Sequence, residues 1–189
     1  MTADAVLAAY RQSGALLEGH FKLSSGLHSA AYLQSALVLQ HPDRAAELGR
    51  GLAERLRPLG ATVVVSPAMG GLIIGHEVGR ALGVRAIFVE RQDGTMVLRR
   101  GFSLLPTDRV VIIEDVVTTG LSTTEAIKAV ETAGATVVGA GSIIDRSGGT
   151  ASLPVPLASL VSLTVPAHEP ASCPMCAAGQ PVVKPGSRA

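Results

Sequence analysis

Two adjacent carboxylates, Glu114 and Asp115, open the run Glu114-Asp115-Val116-Val117-Thr118-Thr119-Gly120-Leu121-Ser122, which continues with hydroxyls and a glycine. Carboxylates can hold sugar hydroxyls or a metal ion. Hydroxyls and the unpaired N–H groups at a helix start can hold a phosphate, helped by the positive end of the helix dipole. A phosphorylated sugar is the ligand that this order of residue types suits. The bland reading is a solvated strand end, and the attached Thr-Thr-Gly turn and helix argue against it.

The elements that position this chemistry are legible on either side of it. Val110-Val111-Ile112-Ile113 is a β-branched apolar run, predicting a strand buried on both faces. From Leu121 onward Ala126, Ile127, Val130 and Ala133 fall on one helical stripe. The acids are expected where the strand ends and the phosphate-binding groups where the helix begins. Alternation within a strand would send Glu114 and Asp115 to opposite faces, so both reach one sugar only if the strand stops there. Asp115 is then the safer sugar ligand.

Further chemistry is expected at the other strand ends, since ligands of open parallel sheets bind in the crevice beyond the strand C-termini. Pro67-Ala68-Met69-Gly70-Gly71 turns from a strand into a helix, and its N–H groups could cradle a second anion. Glu90 to Thr107 is long for a connection, carries Arg91, Arg99 and Arg100, and has glycines at 94 and 101; it reads as a lid. Asp145-Arg146 follows another strand. Two anion sites around a carboxylate pair describe a sugar with phosphate at one end and pyrophosphate at the other. Read blandly, Arg146 is a surface arginine and the lid arginines a solvated face.

The rest of the chain supplies the frame. Thr2 to Arg11 reads as a short helix, and Gly19 to Ser29 as a strand or hairpin on a rim, with Tyr32 to Leu39 continuing an irregular layer. A helix is predicted from His41-Pro42-Asp43 to about Arg57, and strands at Gly60–Val65, Val84–Val89 and Gly134–Val138. Leu72–Leu82 forms a helix capped by Gly83, and a last strand is predicted at Ala158–Val165. Strands alternating with helices imply an α/β fold, an open, mainly parallel sheet flanked by helices. One domain over residues 1–189 is expected, with 1–40 as a hood and 166–189 as an irregular tail.

A net charge of +1 gives no whole-protein field for nucleic acid or membrane. Without an early signal-like segment or a run of about 20 apolar residues, a cytoplasmic protein is expected. The only cysteines, Cys173 and Cys176, are too few for a disulfide framework. Reduced structural cysteines are favoured. Zinc is the alternative, with His168 nearby giving only three of the usual four ligands. His20, His28, His41 and His76 read as surface or packing residues.

Glu114 to Ser122 resembles the phosphoribosyl diphosphate (PRPP) motif of type I phosphoribosyltransferases. The remainder resembles the orotate phosphoribosyltransferases: Phe21-Lys22-Leu23-Ser24-Ser25-Gly26, the Ser66–Gly71 turn, Ile144-Asp145-Arg146, and Cys-Pro-Met-Cys with a Lys-Pro-Gly-Ser-Arg ending. The resemblance implies that Glu114 and Asp115 hold the ribose hydroxyls and that Thr118, Thr119, Gly120, Leu121 and Ser122 wrap the 5-phosphate, with Val116 and Val117 in the same motif. It implies that the Ala68-Met69 peptide, beside Gly70, faces pyrophosphate, and that Thr118 and Arg146 contact orotate. Arg91 and the lid, with Arg99 and Arg100, would reach into the partner's site of a homodimer. Mg²⁺ is implied, held mainly through PRPP rather than by a protein ligand set. Members often carry lysine where Ser24 and Met69 stand; Lys22, Arg99 and Arg100 are candidate replacements. The neighbouring readings are a transferase acting on a purine base and a PRPP-sensing regulator that binds nucleic acid.

Overall fold

The computed structural model describes residues 1–23 and 25–185. Ser24 and the Gly186-Ser187-Arg188 part of the ending lie outside the described residues.

The central sheet forms because its strands can be covered on both faces. In chain order it contains β3 (Val63–Pro67), β4 (Arg85–Gln92), β5 (Thr95–Leu98), β6 (Arg109–Val117), β7 (Thr136–Asp145) and β8 (Leu157–Ser162), arranged β5-β4-β3-β6-β7-β8. Neighbours are parallel except β5, which runs antiparallel to β4 at the edge. Strand β6 is interior, so its β-branched run is enclosed: Val110 to Ile113 have no exposed surface. Alternation divides them. Val111 and Ile113 join one core layer, Val110 and Ile112 the other. Each such side chain contributes about 1.5–3 kcal/mol through burial.

Helices α3 (Pro42–Leu56) and α4 (Gly71–Leu82) supply Leu48, Leu52, Leu56, Ile74 and Val78 to the first layer. Helix α5 (Leu121–Thr132) supplies Ala126, Ile127 and Val130 to the second. Helix α1 (Ala3–Gln12) is capped by Thr2, whose hydroxyl accepts from the Ala5 N–H, and it buries Val6 and Tyr10. Gly83 ends α4 in the left-handed region, as its sequence position predicts.

A second sheet lies over the crevice. Strands β1 (Leu16–Lys22) and β2 (His28–Leu33) form an antiparallel hairpin, and β2 also pairs with β9 (Ala167–His168). After β2, α2 (Ala36–Leu39) replaces the irregular layer expected up to Leu39. The tail expected to be irregular thus contributes a strand, and beyond it a short helix, α6 (Pro174–Ala177).

The expected lid loop is also more ordered than its length suggested. Strand β4 continues to Gln92 and turns through Asp93 and Gly94, at φ 52° and 81°, into β5. That is the two-residue hairpin signature of an Asp-Gly pair. Met96 is buried in the α5-side core and fixes the hairpin's register. Among the described residues, no helix is long and apolar enough to cross a membrane.

Candidate functional site

Strand β6 does not end at the acids. It runs on to Val117, pairing with β7 through Val117 and Asp145. The two carboxylates therefore leave opposite faces, yet both reach the start of α4 because that turn lies close above the strand end. A Cβ on Gly70 would stand 2.6 Å from Asp115 Oδ1, and one on Gly71 would stand 3.5 Å from Glu114 Oε2. Only a residue without a side chain fits Gly70 beside Asp115. The expected end of the strand at the acids is therefore not what brings them toward one turn; the close approach of the α4 start to the C-terminal end of β6 does.

Both acids are raised above the ordinary carboxylate range. Burial, then the Asp115 charge, pushes Glu114 up to about 8. Burial also raises Asp115, opposed by a hydrogen bond from Ser35. Ser35 in turn lies 3.0 Å from the Tyr10 hydroxyl, which burial raises as well. Neither acid has an ion-pair partner among the described residues, so a cation or a cluster of hydroxyl donors would relieve the shared charge.

Val116 to Thr123 and Glu114 line a cavity of about 250 Å³ at the start of α5. Gly120 stands at φ 80°, a left-handed turn that opens α5 beside the cavity, with the Leu121 N–H donating to Thr119 Oγ1 at 3.4 Å. Thr118, Thr119 and Ser122 are exposed there. Across the crevice the Ala68–Met69 peptide is cis, the Ala68 N–H donates to the Val89 carbonyl at 2.8 Å, and Met69 is 81% exposed.

A second cavity, about 490 Å³, adjoins this loop. Thr118 and Thr119 form its floor, Leu23, Ser25, Leu27 and Tyr32 its hood side, and Arg146, Val165 and Ala167 the remainder. The sequence-predicted pair Thr118 and Arg146 is thus brought together. Arg146 is half-buried, its guanidinium donates to Ser29 Oγ at 3.0 Å, and burial lowers its pKa. Its backbone is held by the turn that Asp145 builds, accepting from the N–H groups of Ser147 and Gly149 at 2.8 and 3.0 Å. Among the described residues Arg146 has no carboxylate partner, which leaves its fork for a planar anion.

The predicted lid arginines are not brought to the acids within one chain. Arg91 pairs with Glu125 on α5 and donates to the Gly94 carbonyl at 2.8 Å. Arg100 grips Glu90 with two contacts of 2.9 and 3.0 Å, and Arg99 lies 3.6 Å from the same carboxylate. Lys22 is exposed at the end of β1. An apolar groove of about 510 Å³ between β5 and α5 is lined by the hairpin and by Glu125, the partner of Arg91, and by neither of the two acids, the Thr118–Ser122 turn nor Arg146.

Sequence reasoning missed Ser29, Tyr32 and Ser35, which position or line the site from the hood; isolated serines carry no spacing signal. Two of the histidines read as surface or packing residues pack against each other. His20 and His28 are buried together in the hood, 2.8 Å apart between Nε2 and Nδ1. His168 instead pairs through its backbone in β9.

Residues 35–154 match the phosphoribosyl transferase domain family. A relative from Rhizorhabdus wittichii named orotate phosphoribosyltransferase is 57% identical, with 100% of this chain and 98% of the relative covered. One of the same name from Pelotomaculum thermopropionicum is 52% identical over 100% of this chain and 99% of its own length. The crystal structure of orotate phosphoribosyltransferase from Aeropyrum pernix superposes with a TM-score of 0.67 at 26% identity, covering 84% of this chain and 93% of that one.

Proposed function

Since the chain belongs to the phosphoribosyl transferase family, as one of its orotate phosphoribosyltransferases, we propose that its crevice moves a 5-phosphoribosyl group from PRPP to orotate. The products are orotidine 5′-phosphate and pyrophosphate, a step of pyrimidine nucleotide synthesis. The observation that carries this reading is the placement of Thr118 and Arg146 in one cavity joined to the phosphate-binding loop.

The α5 start, with Thr118, Thr119 and Ser122, grips the 5-phosphate, and Glu114 and Asp115 anchor the ribose hydroxyls. Arg146 pairs with the carboxylate of orotate and orients the ring toward the anomeric carbon. As the bond from that carbon to pyrophosphate breaks, positive charge builds on the ribose and negative charge on the leaving oxygens. Fixed opposite charges lower the barrier without reorganisation. The buried acid pair lies where the ribose charge develops, and the Ala68–Gly70 turn faces the leaving group.

The donor set fits a divalent cation, because two close carboxylates without a cationic partner share their charge at a cost. Mg²⁺, carried mainly by PRPP, would supply further charge neutralisation of the leaving group when bound. Arg91, Arg99 and Arg100 lie on an exposed hairpin and pair with their own chain's acids; a homodimer in which they serve the partner's site gives them a role. A cytoplasmic location accords with this reaction.

The assay offers PRPP and Mg²⁺ with orotate, adenine, hypoxanthine or uracil singly and follows loss of each base. Orotate alone is expected to be consumed. Turnover of a purine without orotate would overturn the base assignment, and turnover of none would favour a PRPP sensor.

A further inference from the structure

Four side chains that the transferase chemistry does not use converge at one point of the hood. They are His20 on β1, His28 at the start of β2, and Cys173 and Cys176 at the start and within α6. One ligand atom from each lies within 4.8 Å of all the others. Two come from a hairpin near the N-terminus and two from the tail. We propose that these four residues form a closed, structural Zn²⁺ site that clamps the tail onto the hood.

Three of the separations approach a tetrahedron's nitrogen–sulfur edge. With Zn–N about 2.0–2.1 Å and Zn–S about 2.3 Å, a tetrahedral site spaces nitrogen from sulfur by about 3.6 Å. Cys173 Sγ and Cys176 Sγ lie 3.6 and 3.7 Å from His20 Nε2, and Cys176 Sγ lies 3.3 Å from His28 Nδ1. The two nitrogens, 2.8 Å apart, need to open by only about half an ångström to reach the corresponding edge.

The tautomer of His20 is set for ligation. Its Nδ1 is 2.9 Å from the Gln180 carbonyl, which can only accept, so Nδ1 carries the hydrogen and the Nε2 lone pair faces the cluster. A carbonyl behind the distal ring nitrogen is the usual outer support of a metal-bound histidine. Two cysteines separated by two residues supply the usual spacing for one side of such a site, and mixed sulfur and imidazole donors select zinc among abundant divalent ions.

The tail also needs an anchor. From 166 to 185, Cys173 is the one fully buried residue. Yet the segment holds a fixed course: Ala167 and His168 pair with β2, and the Val183 N–H donates to the His20 carbonyl at 2.8 Å. Apolar burial is too sparse to hold about twenty residues against their conformational entropy. A metal joining both ends of the chain supplies the missing constraint, with all four positions filled and none left for a reactive water.

The site borders the base cavity. Leu23, Ser25 and Leu27 connect the two histidine-bearing strands, and Ala167 belongs to the tail that the metal would hold. The zinc is therefore a positioning element for the cavity rim. This last consequence rests on the transferase reading, whereas the metal content does not.

The test uses the full chain, prepared without a histidine tag. Elemental analysis is expected to find about one zinc per chain, and a Cys176→Ser variant a small fraction of that. Replacement by Co²⁺ should give the intense visible bands of tetrahedral coordination with thiolate charge transfer, absent from the variant. Removal with a chelator should raise the KM for orotate more than that for PRPP, with zinc restoring it. Protein purified with negligible zinc that also gives only the weak spectrum of six-coordinate Co²⁺ would overturn the site. Full zinc content in a folded His28→Ala, Cys176→Ser double variant would do the same.

Discussion

Replacing Glu114 with Gln should make the free protein more stable while making it a poorer catalyst. Burial and the adjacent Asp115 move the Glu114 carboxyl from 4.5 to about 8 on folding. A carboxyl raised in this way binds its proton more tightly in the native state than in the unfolded one. Its contribution therefore destabilises the fold progressively as pH rises from about 4.5 through about 8. At about 1.4 kcal/mol per pH unit the ceiling is about 5 kcal/mol. Residual hydration of the crevice lowers the effective value, and a gain of about 1–2 kcal/mol is expected for Glu114→Gln near the top of the window. For a chain of this length that is a rise of about 2–8 °C in thermal midpoint. Thermal unfolding of both proteins, without ligand, across the window should show the gain vanishing at its acidic end and growing with pH. Turnover should fall on the order of 100-fold, the scale of one lost electrostatic contact. Parallel pH dependences, or a variant less stable than its parent at the alkaline end, would refute the argument that this acid is held at a cost for function.

Arg146→Ala should raise the KM for orotate about 10- to 100-fold, the scale of a lost charged hydrogen bond, and leave that for PRPP nearly unchanged; steady-state kinetics in both substrates would show the reverse if Arg146 served the phosphate. Gly70→Ala would place a methyl 2.6 Å from Asp115 Oδ1. Turnover should drop on the order of 100-fold with a thermal midpoint within a few degrees of the parent, and unchanged turnover would mean that the Asp115 position is not critical.

The parts of the fold that follow from local pattern were legible in the sequence. The run at Val110, the stripes of α3 and α5 and the glycine ending α4 each carry a period or a cap that tertiary contacts only reinforce. The Thr118–Ser122 turn was legible for the same reason, since it lies within one strand–turn–helix unit. What escaped depends on distant partners. The Asp93-Gly94 hairpin had a local signal, but its strand was masked by the surrounding arginines, and only the burial of Met96 makes it pay off as an edge strand. Ser29 and Ser35 acquire roles solely because the hood folds over the crevice, and His20 and His28 become neighbours through hairpin register. The continuation of β6 past Asp115 was hidden because acids usually mark an exit from the sheet; here Val116 and Val117 pair with β7 and carry the strand onward.

The hairpin arginines are held by Glu90 and Glu125 on the surface of their own chain, so their charge is already partly spent within the fold. In the proposed reaction an incoming diphosphate would have to compete with these carboxylates before it could recruit the hairpin. The hairpin's engagement is then an exchange of ion pairs, not a gain of new ones, and its net driving force is the small difference between two solvated contacts. Such an exchange would be readily reversible: the same acids that delayed capture of a pyrophosphate would take the arginines back when it departed.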